Sequence, residues 1–224
     1  MGKVKDIVKT NVPFLLPCLV FWIAAAVALV FCDKVPLQVA FNSLHTPFQN
    51  DIWLAVTALG GSVFCICILL TGTLFSYRYM VSGIASILIA MGITTLFKYA
   101  IEMPRPSVEL AQAGLLGGMD LVEGYSLRET LSFPSGHTTA AFCLFTTLAL
   151  FARRSWVKVV LFLVAFGVAY SRIYLMQHFL SDVLAGSVIG TVTAVVVYAY
   201  VREARWIDFG RPLVSPRLYN RIKK

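Results

Sequence analysis

The sequence predicts an all-α, polytopic membrane protein with six transmembrane helices. Of its 224 residues, 58% are hydrophobic and only 13% are charged, and the mean hydropathy of +0.79 is too high for an ordinary soluble domain. The apolar residues occur in blocks of about 20, the length that a helix needs to cross a hydrocarbon core of roughly 30 Å. The length allows one such bundle, so we expect a single integral-membrane domain over residues 1–224.

The first three predicted spans cover about 13–32, 52–75 and 80–97. A short polar start precedes the first span, and Gly60-Gly61 softly interrupts the second. The third leads into the longest polar segment, an outer loop of about 98–133. We expect Ser107–Ser132 of this loop to form a lid or acyl-chain gate, with a mobile linker as the alternative.

The last three predicted spans cover about 134–152, 156–174 and 183–201. Arg153-Arg154 separates the fourth from the fifth, and a basic tail to Lys224 follows the sixth. Gly186 and Gly190 form a small-xxx-small pattern, which allows two membrane helices to approach closely. We therefore expect the sixth span to pack tightly against a neighbour.

The distribution of basic residues predicts the orientation in the membrane. Six spans place both termini on one side, and most of the 19 lysines and arginines fall on that side. The exceptions are Lys34, Lys98, Arg105, Arg128 and Arg172. The positive-inside rule then places the termini in the cytoplasm. This topology, together with anionic lipid head groups, explains the net charge of +8 without a nucleic-acid partner.

The cysteines predict neither disulfides nor a zinc site. Cys65-x-Cys67 lacks the second pair that a zinc site needs. All five cysteines lie in or beside apolar blocks, where buried thiols act as small hydrophobic residues. The first apolar block has the length of a full span and no cleavage pattern after it, so we expect no cleavable signal peptide.

Three polar clusters map to the predicted outer ends of spans three to six. The first is Lys98-Tyr-Ala-Ile-Glu-Met-Pro-Arg105-Pro106, in which Pro104 and Pro106 should end the third helix and turn Arg105 back toward its mouth. By itself this cluster is also explained by pairing of Lys98 with Glu102 and by contacts with lipid phosphates.

The second cluster, Pro134-Ser135-Gly136-His137, lies at the mouth of the fourth helix. Ser135 suits an N-cap, the Gly136 amide can point at an anion, and His137 can donate a proton to it. An ordinary helix start explains this cluster equally well.

The third cluster runs from Ser171-Arg172 to His178 and Asp182. His178 and Asp182 are four residues apart, so on a helix they would be neighbours, and the carboxylate could orient the imidazole. A capping pair at the start of the sixth span is the alternative.

The clusters are more informative together than apart, because polar groups at span ends are costly unless they serve a site. A metal site of His137, His178 and Asp182 competes with an anion site. Three cations beside these histidines would oppose a divalent ion and suit a phosphate. We therefore expect no metal and no cofactor.

At these residues the chain resembles the type 2 phosphatidic acid phosphatase family, kin of the vanadium haloperoxidases. The family's patterns K-x6-R-P, P-S-G-H and S-R-x5-H-x3-D are all complete, in order and correctly spaced. The resemblance implies that His178 is the nucleophile and forms a phosphohistidine, that Asp182 orients it, and that His137 is the acid and then the base. It also implies that Lys98, Arg105, Arg172, the Ser135 hydroxyl and the Gly136 amide bind the phosphoryl oxygens.

The resulting functional prediction is metal-independent hydrolysis of a lipid phosphate or diphosphate at the periplasmic face of a bacterial inner membrane. The family suggests phosphatidylglycerol phosphate, undecaprenyl pyrophosphate, phosphatidic acid or lipid A phosphates as substrates. A lipid-phosphate transporter and a vanadate-dependent haloperoxidase-like site remain alternatives. The first leaves His178 and Asp182 without a purpose, and known relatives of the second type are soluble. The sequence leaves the oligomeric state open.

Overall fold

The computed structural model describes residues 2–72 and 76–203, and within them the chain is helical with no strand. The ten α-helices, in chain order, are α1 Gly2–Thr10, α2 Val12–Phe31, α3 Lys34–Asn42, α4 Pro47–Ala58, α5 Ser62–Gly72, α6 Tyr77–Ile101, α7 Pro106–Gln112, α8 Gly136–Phe151, α9 Ser155–Tyr174 and α10 Leu180–Glu203. The end of the predicted span 52–75 and the basic tail from residue 204 lie outside the described residues.

Four of these helices are long and apolar enough to cross a membrane: α2, the helix that begins at Tyr77, α9 and α10. A fifth candidate is the pair α4 and α5, which meet at an angle of 49°. Gly60 lies at this break, where a Cβ atom would come within 2.8 Å of the His137 carbonyl oxygen. The predicted soft interruption is therefore a distinct bend, and the close approach explains the glycine.

Helix α8, which corresponds to the predicted fourth span, has 16 residues and is shorter than α2, α6, α9 and α10. It lies in the middle of the bundle, because most of its side chains are buried. Phe142 and Phe145 pack in the main core with Phe162 of α9 and Phe14 of α2. A central helix packed by protein on nearly all sides can carry a polar site at its end without exposing it to lipid.

The predicted close approach of the last helix to a neighbour is confirmed, and the neighbour is α8. A Cβ atom on Gly186 would lie 2.7 Å from the Ser135 carbonyl oxygen. One on Gly190 would lie 2.4 Å from the Thr139 carbonyl oxygen. Real Cβ atoms do not approach backbone so closely, so the two glycines set the separation between α10 and α8. This contact holds the first turns of both helices side by side.

The third predicted span extends further than expected. Helix α6 ends at Ile101 with Glu102 in the left-handed conformation, at φ 49°, two residues before Pro104. Lys98 therefore belongs to the last helical turn rather than to the loop. The rest of the predicted loop contains the short helix α7 and one 3₁₀ turn at Leu116–Gly118. Its last part, Tyr125–Ser132, is called the roof segment below because of its position over the polar site.

Candidate active site

The ends of α6, α8, α9 and α10 that carry the three polar clusters surround one cavity of about 810 Å³. Its wall contains most of the predicted site residues: Lys98, Arg105, Gly136, His137, Arg172 and His178. Ser135 and Asp182 are also close, but both are buried behind the wall, with 0% and 1% of their surface exposed. The three sequence clusters therefore meet around one cavity, with Ser135 and Asp182 behind its wall.

His178 and Asp182 adjoin as expected, but not on one helix face. His178 lies in the connection before α10, which begins at Leu180, and Asp182 lies in the first turn of α10. The Nδ1 atom of His178 is 3.5 Å from Asp182 Oδ2, and it has no closer polar partner among the described residues. Asp182 Oδ2 also accepts a hydrogen bond of 3.0 Å from the Phe179 amide, which caps α10. The pair is thus both a capping arrangement and an orienting one.

Asp182 has a further partner that the sequence reading missed. The hydroxyl of Ser132 donates to Asp182 Oδ2 over 2.5 Å, and Ser132 is completely buried. The Ser135 amide donates to the Asp182 carbonyl oxygen over 3.0 Å. Besides facing the imidazole, the carboxylate accepts from three donors: the Ser132 hydroxyl, the Phe179 amide and the Ser181 hydroxyl, which donates to Oδ1 over 3.1 Å. The only sequence signal was the position of Ser132, three residues before the N-cap Ser135.

The environment of His178 favours its neutral form. Burial, reinforced by the positive charges of Arg172 and Arg105 and opposed by Asp182, lowers the pKa of His178 from 6.5 to about 3. Its Nε2 atom is 3.4 Å from Nη1 of Arg105. A proton on Nδ1 would face the Asp182 carboxylate and would leave the lone pair on Nε2, at the cavity. A neutral imidazole with its lone pair directed to a cationic cavity is suited to nucleophilic attack.

Arg105 is fixed by protein oxygens on one edge. Its Nε donates to the Thr130 carbonyl over 2.9 Å, and its Nη1 donates to the backbone and side-chain oxygens of Gln177, each over 3.0 Å. Burial and the nearby charges of Arg172 and Arg128 lower the pKa of Arg105 to about 10, so it stays protonated at neutral pH. Gln177 occupies an unspecified position of the pattern S-R-x5-H-x3-D, so sequence reading gave it no role.

Arg172 is held through Nη1, whereas its Nε makes no hydrogen bond among the described residues. Its Nη1 donates to the Thr57 hydroxyl over 2.6 Å and to the Tyr125 hydroxyl over 3.1 Å. Its Nε is buried and has no hydrogen-bond partner within the described residues. An arginine binds a phosphate best through two parallel N–H groups, and the edge with Nε is free for this purpose. Thr57 and Tyr125, far apart in sequence, were not predicted.

Lys98 reaches the site from the last turn of α6. Its Nζ donates to the Leu131 carbonyl oxygen of the roof segment. Glu102, the partner considered in the sequence analysis, is exposed and forms no ion pair among the described residues. The alternative pairing of Lys98 with Glu102 is therefore wrong, and Lys98 lines the cavity instead.

The start of α8 provides the remaining polar groups. Ser135 is its N-cap, and its hydroxyl oxygen accepts from the Thr138 amide over 3.4 Å and from the Thr138 hydroxyl over 3.0 Å. Gly136 and His137 follow at the cavity wall, and the first amides of a helix have no intrahelical acceptor. The free amides and the helix dipole favour an anion here. The Ser135 hydroxyl, predicted to contact the ligand, is completely buried and lies behind the cavity wall.

The cavity continues from the polar site into an apolar groove between α5 and α6. The groove is lined by Cys65, Ile66, Leu69, Ile87, Leu88 and Met91. Ile66 and Leu88 are 55% and 68% exposed on the outer surface of the bundle. The groove therefore opens sideways, at the level of the spans, rather than only toward the polar end. No three His, Cys, Asp or Glu side chains within residues 2–72 and 76–203 form a group that could hold a metal ion.

Comparison with known sequences places residues 79–206 in the PAP2 superfamily. A Drosophila melanogaster protein named as a phosphatidate phosphatase is 36% identical over 104 residues, which is 42% of this chain and only 26% of that protein. Phosphatidylglycerophosphatase B of Bacillus subtilis is 27% identical and matches 66% of this chain and 72% of its own length. Lipid A 4'-phosphatase of Bacteroides thetaiotaomicron is 28% identical and matches 69% and 70%.

Comparison with solved structures identifies a similar fold. The crystal structure of Aquifex aeolicus LpxE superposes with a TM-score of 0.66 at 26% identity. The match covers 74% of this chain and 94% of LpxE. The range of the family model, residues 79–206, contains nearly all of α6 and the whole of α8, α9 and α10, from which the polar wall of the cavity is built.

Proposed function

The chain belongs to the PAP2 superfamily, and from this membership we propose that it hydrolyses a phosphate ester or diphosphate of a membrane lipid. One observation carries the proposal: a single cavity joins a cationic, histidine-containing end to an apolar groove that opens sideways between α5 and α6. The polar end suits a phosphoryl group, and the groove suits an acyl or prenyl chain. A water-soluble phosphate ester would make no use of the groove.

In the proposed first step, His178 Nε2 attacks phosphorus in line while the bond to the lipid oxygen breaks. His137 donates a proton to that oxygen, so the lipid leaves as an alcohol and the phosphoryl group stays on His178. In the second step, His137 takes a proton from water, which attacks the phosphohistidine and releases phosphate. Both imidazoles then regain their starting protonation states.

The proposal assigns the remaining residues by their contacts. Asp182 orients Nδ1 of His178 and stabilises the positive charge that develops there (3.5 Å). Lys98, Arg105 and Arg172, with the Gly136 amide, stabilise the oxygens of the phosphoryl group. Ser135 acts indirectly, by capping α8 beneath Gly136. These groups supply the positive charge that magnesium provides in many other phosphoryl-transfer enzymes, so we expect no metal dependence.

We further propose six spans over a single domain, formed by α2, the bent pair α4–α5, α6, α8, α9 and α10. The basic residues then place both termini in the cytoplasm and the cavity at the periplasmic face of a bacterial inner membrane. The short α8 requires no full hydrocarbon thickness of its own, because other helices surround it. Labelling of single cysteines at Glu123 and Arg153 from each side of sealed vesicles would test the orientation.

The enzymatic proposal is tested by phosphate release from a panel of lipid substrates by the purified chain. The panel contains phosphatidic acid, phosphatidylglycerol phosphate, undecaprenyl pyrophosphate and lipid A, which include the substrates named for the relatives. We expect phosphate release from at least one of these lipids, and we expect the release to continue when a chelator is present in excess. Mass spectrometry identifies which lipid A phosphate is lost.

Two variants give the panel its controls. His178→Ala should reduce release by several orders of magnitude, and it should abolish the base-stable, acid-labile phosphohistidine label that the wild type acquires from a radioactive lipid phosphate. His45→Ala changes a histidine that stacks on Tyr174 outside the cavity, and should stay active. Specific lipid binding without release from any lipid would instead indicate a carrier.

A further inference from the structure

Arg128, in the roof segment, is a fourth cation at the site and belongs to none of the three sequence clusters. It lines the main cavity together with Lys98, Arg105 and Arg172. It also lines an adjoining cavity of about 430 Å³, whose wall is formed by Lys98, Arg105, Arg128, Glu129, Thr130 and Leu131. Arg128 therefore stands where the two cavities meet, beside the two cations that they share.

The backbone around Arg128 is fixed, whereas its side chain is free. The Arg128 carbonyl accepts from the Ser107 hydroxyl over 3.1 Å, and the next carbonyl, of Glu129, accepts from the Arg105 amide over 2.8 Å. The guanidinium itself has no hydrogen bond or ion pair within residues 2–72 and 76–203, and the residue is exposed. In contrast, Lys98, Arg105 and Arg172 each donate to protein oxygens.

The charges favour a ligand with more than one phosphate. A phosphomonoester carries at most two negative charges, and Lys98, Arg105 and Arg172 already match it. A further unpaired cation beside these three raises the electrostatic energy of the empty site, and its field contributes to the lowered pKa of Arg105. A second phosphate would supply the missing negative charge at Arg128. The Glu129 carboxylate, on the wall of the smaller cavity, limits that subsite on one side.

We propose that Arg128, with Lys98 and Arg105, forms a second anion subsite that binds the inner phosphate of a lipid diphosphate. This inference rests on the proposed function and deepens it. His178 would attack the outer phosphorus, and the bond from that phosphorus to the bridging oxygen would break. The electron pair stays on the bridging oxygen, so negative charge develops beside Arg128 on the departing lipid monophosphate until His137 protonates that oxygen. Arg128 thus stabilises the leaving group of a diphosphate and has no equivalent role with a monophosphate.

The test compares two lipids with the same chain, polyprenyl diphosphate and polyprenyl monophosphate, and measures kcat/KM for phosphate release. Arg128→Gln should lower the value for the diphosphate by roughly 10- to 100-fold, as expected for loss of a charge-assisted hydrogen bond, and that for the monophosphate by less than about threefold. Arg128→Lys should restore part of the loss. Arg153→Gln, which removes an exposed arginine outside both cavities, should change neither value.

Inhibition by small anions gives an independent measurement on the same proteins. Inorganic pyrophosphate should inhibit the wild-type chain more strongly than inorganic phosphate, and Arg128→Gln should remove most of this difference. Equal losses with both lipids, or no loss with either, would overturn the second subsite while leaving the phosphatase proposal intact. A wild-type chain that released phosphate from neither lipid nor from any member of the panel would instead overturn the phosphatase proposal.

Discussion

Replacement of Ser132 by alanine is expected to slow the chemical step while leaving substrate binding nearly unchanged. The Ser132 hydroxyl donates to Asp182 Oδ2 over 2.5 Å, and both residues are almost fully buried. A hydrogen bond to a charged acceptor contributes about 1.5–3 kcal/mol. If the whole of this energy holds the carboxylate against His178 in the transition state, kcat falls roughly 10- to 150-fold. Ser132 does not line the cavity, so KM should change little.

The assay is steady-state phosphate release at saturating and limiting lipid, with Ser86→Ala as the matched control. Ser86 is also completely buried, but its hydroxyl has no hydrogen-bond partner among the described residues. A double-mutant cycle makes the test specific, because Ser132 is argued to act only through Asp182. In an Asp182→Asn background, Ser132→Ala should therefore cost much less than in the wild type. Additive losses, or a raised KM with unchanged kcat, would refute the positioning role.

Three further predictions concern binding, stability and packing. Arg172→Lys loses the planar donor edge, so kcat/KM and inhibition by inorganic phosphate should weaken about 100-fold. Folding lowers the pKa of His178 from 6.5 to about 3, so the unfolded chain binds this proton more readily. The contribution of His178 to the free energy of unfolding should therefore be fully present above pH 6.5 and should decrease as the pH drops toward 3. His178→Gln should flatten this pH dependence in denaturation curves. Gly190→Ala would place a Cβ 2.4 Å from the Thr139 carbonyl and should destabilise by about 2 kcal/mol or more, whereas Gly92→Ala, with no atom within 4 Å of its Cβ, should not.

Much of the site was predictable because its residues carry chemistry in their side chains. Polar groups at the ends of apolar blocks are costly, so their positions in the sequence already indicated a common function. The capping role of Ser135 and the close approach at Gly186 and Gly190 also followed from local rules, and the structure confirms them. In contrast, the spacing of His178 and Asp182 suggested one helix face, whereas the helix begins between them.

The supporting contacts were not predictable, because many of them come from the backbone. The carbonyl groups of Thr130 and Leu131 accept hydrogen bonds from Arg105 and Lys98. Every residue type has a backbone carbonyl, so the sequence of the roof segment does not reveal these hydrogen bonds. Thr57 likewise reaches Arg172 because α4 packs against α9, a long-range contact that the local sequence does not show. Part of the segment expected to form a lid or gate, Thr130 and Leu131, therefore contributes its backbone carbonyl groups to the site.

This use of neutral acceptors has a physical reason. Lys98, Arg105 and Arg172 are oriented by carbonyl and hydroxyl oxygens, and none of them pairs with a carboxylate among the described residues. A carboxylate partner would orient each cation equally well, but it would cancel the charge and compete with a phosphate. A dipolar partner fixes the direction of the N–H groups and leaves the net charge for the ligand. Asp182, the carboxylate that faces His178, lies behind the cavity wall, where it can support the imidazole without repelling the phosphate.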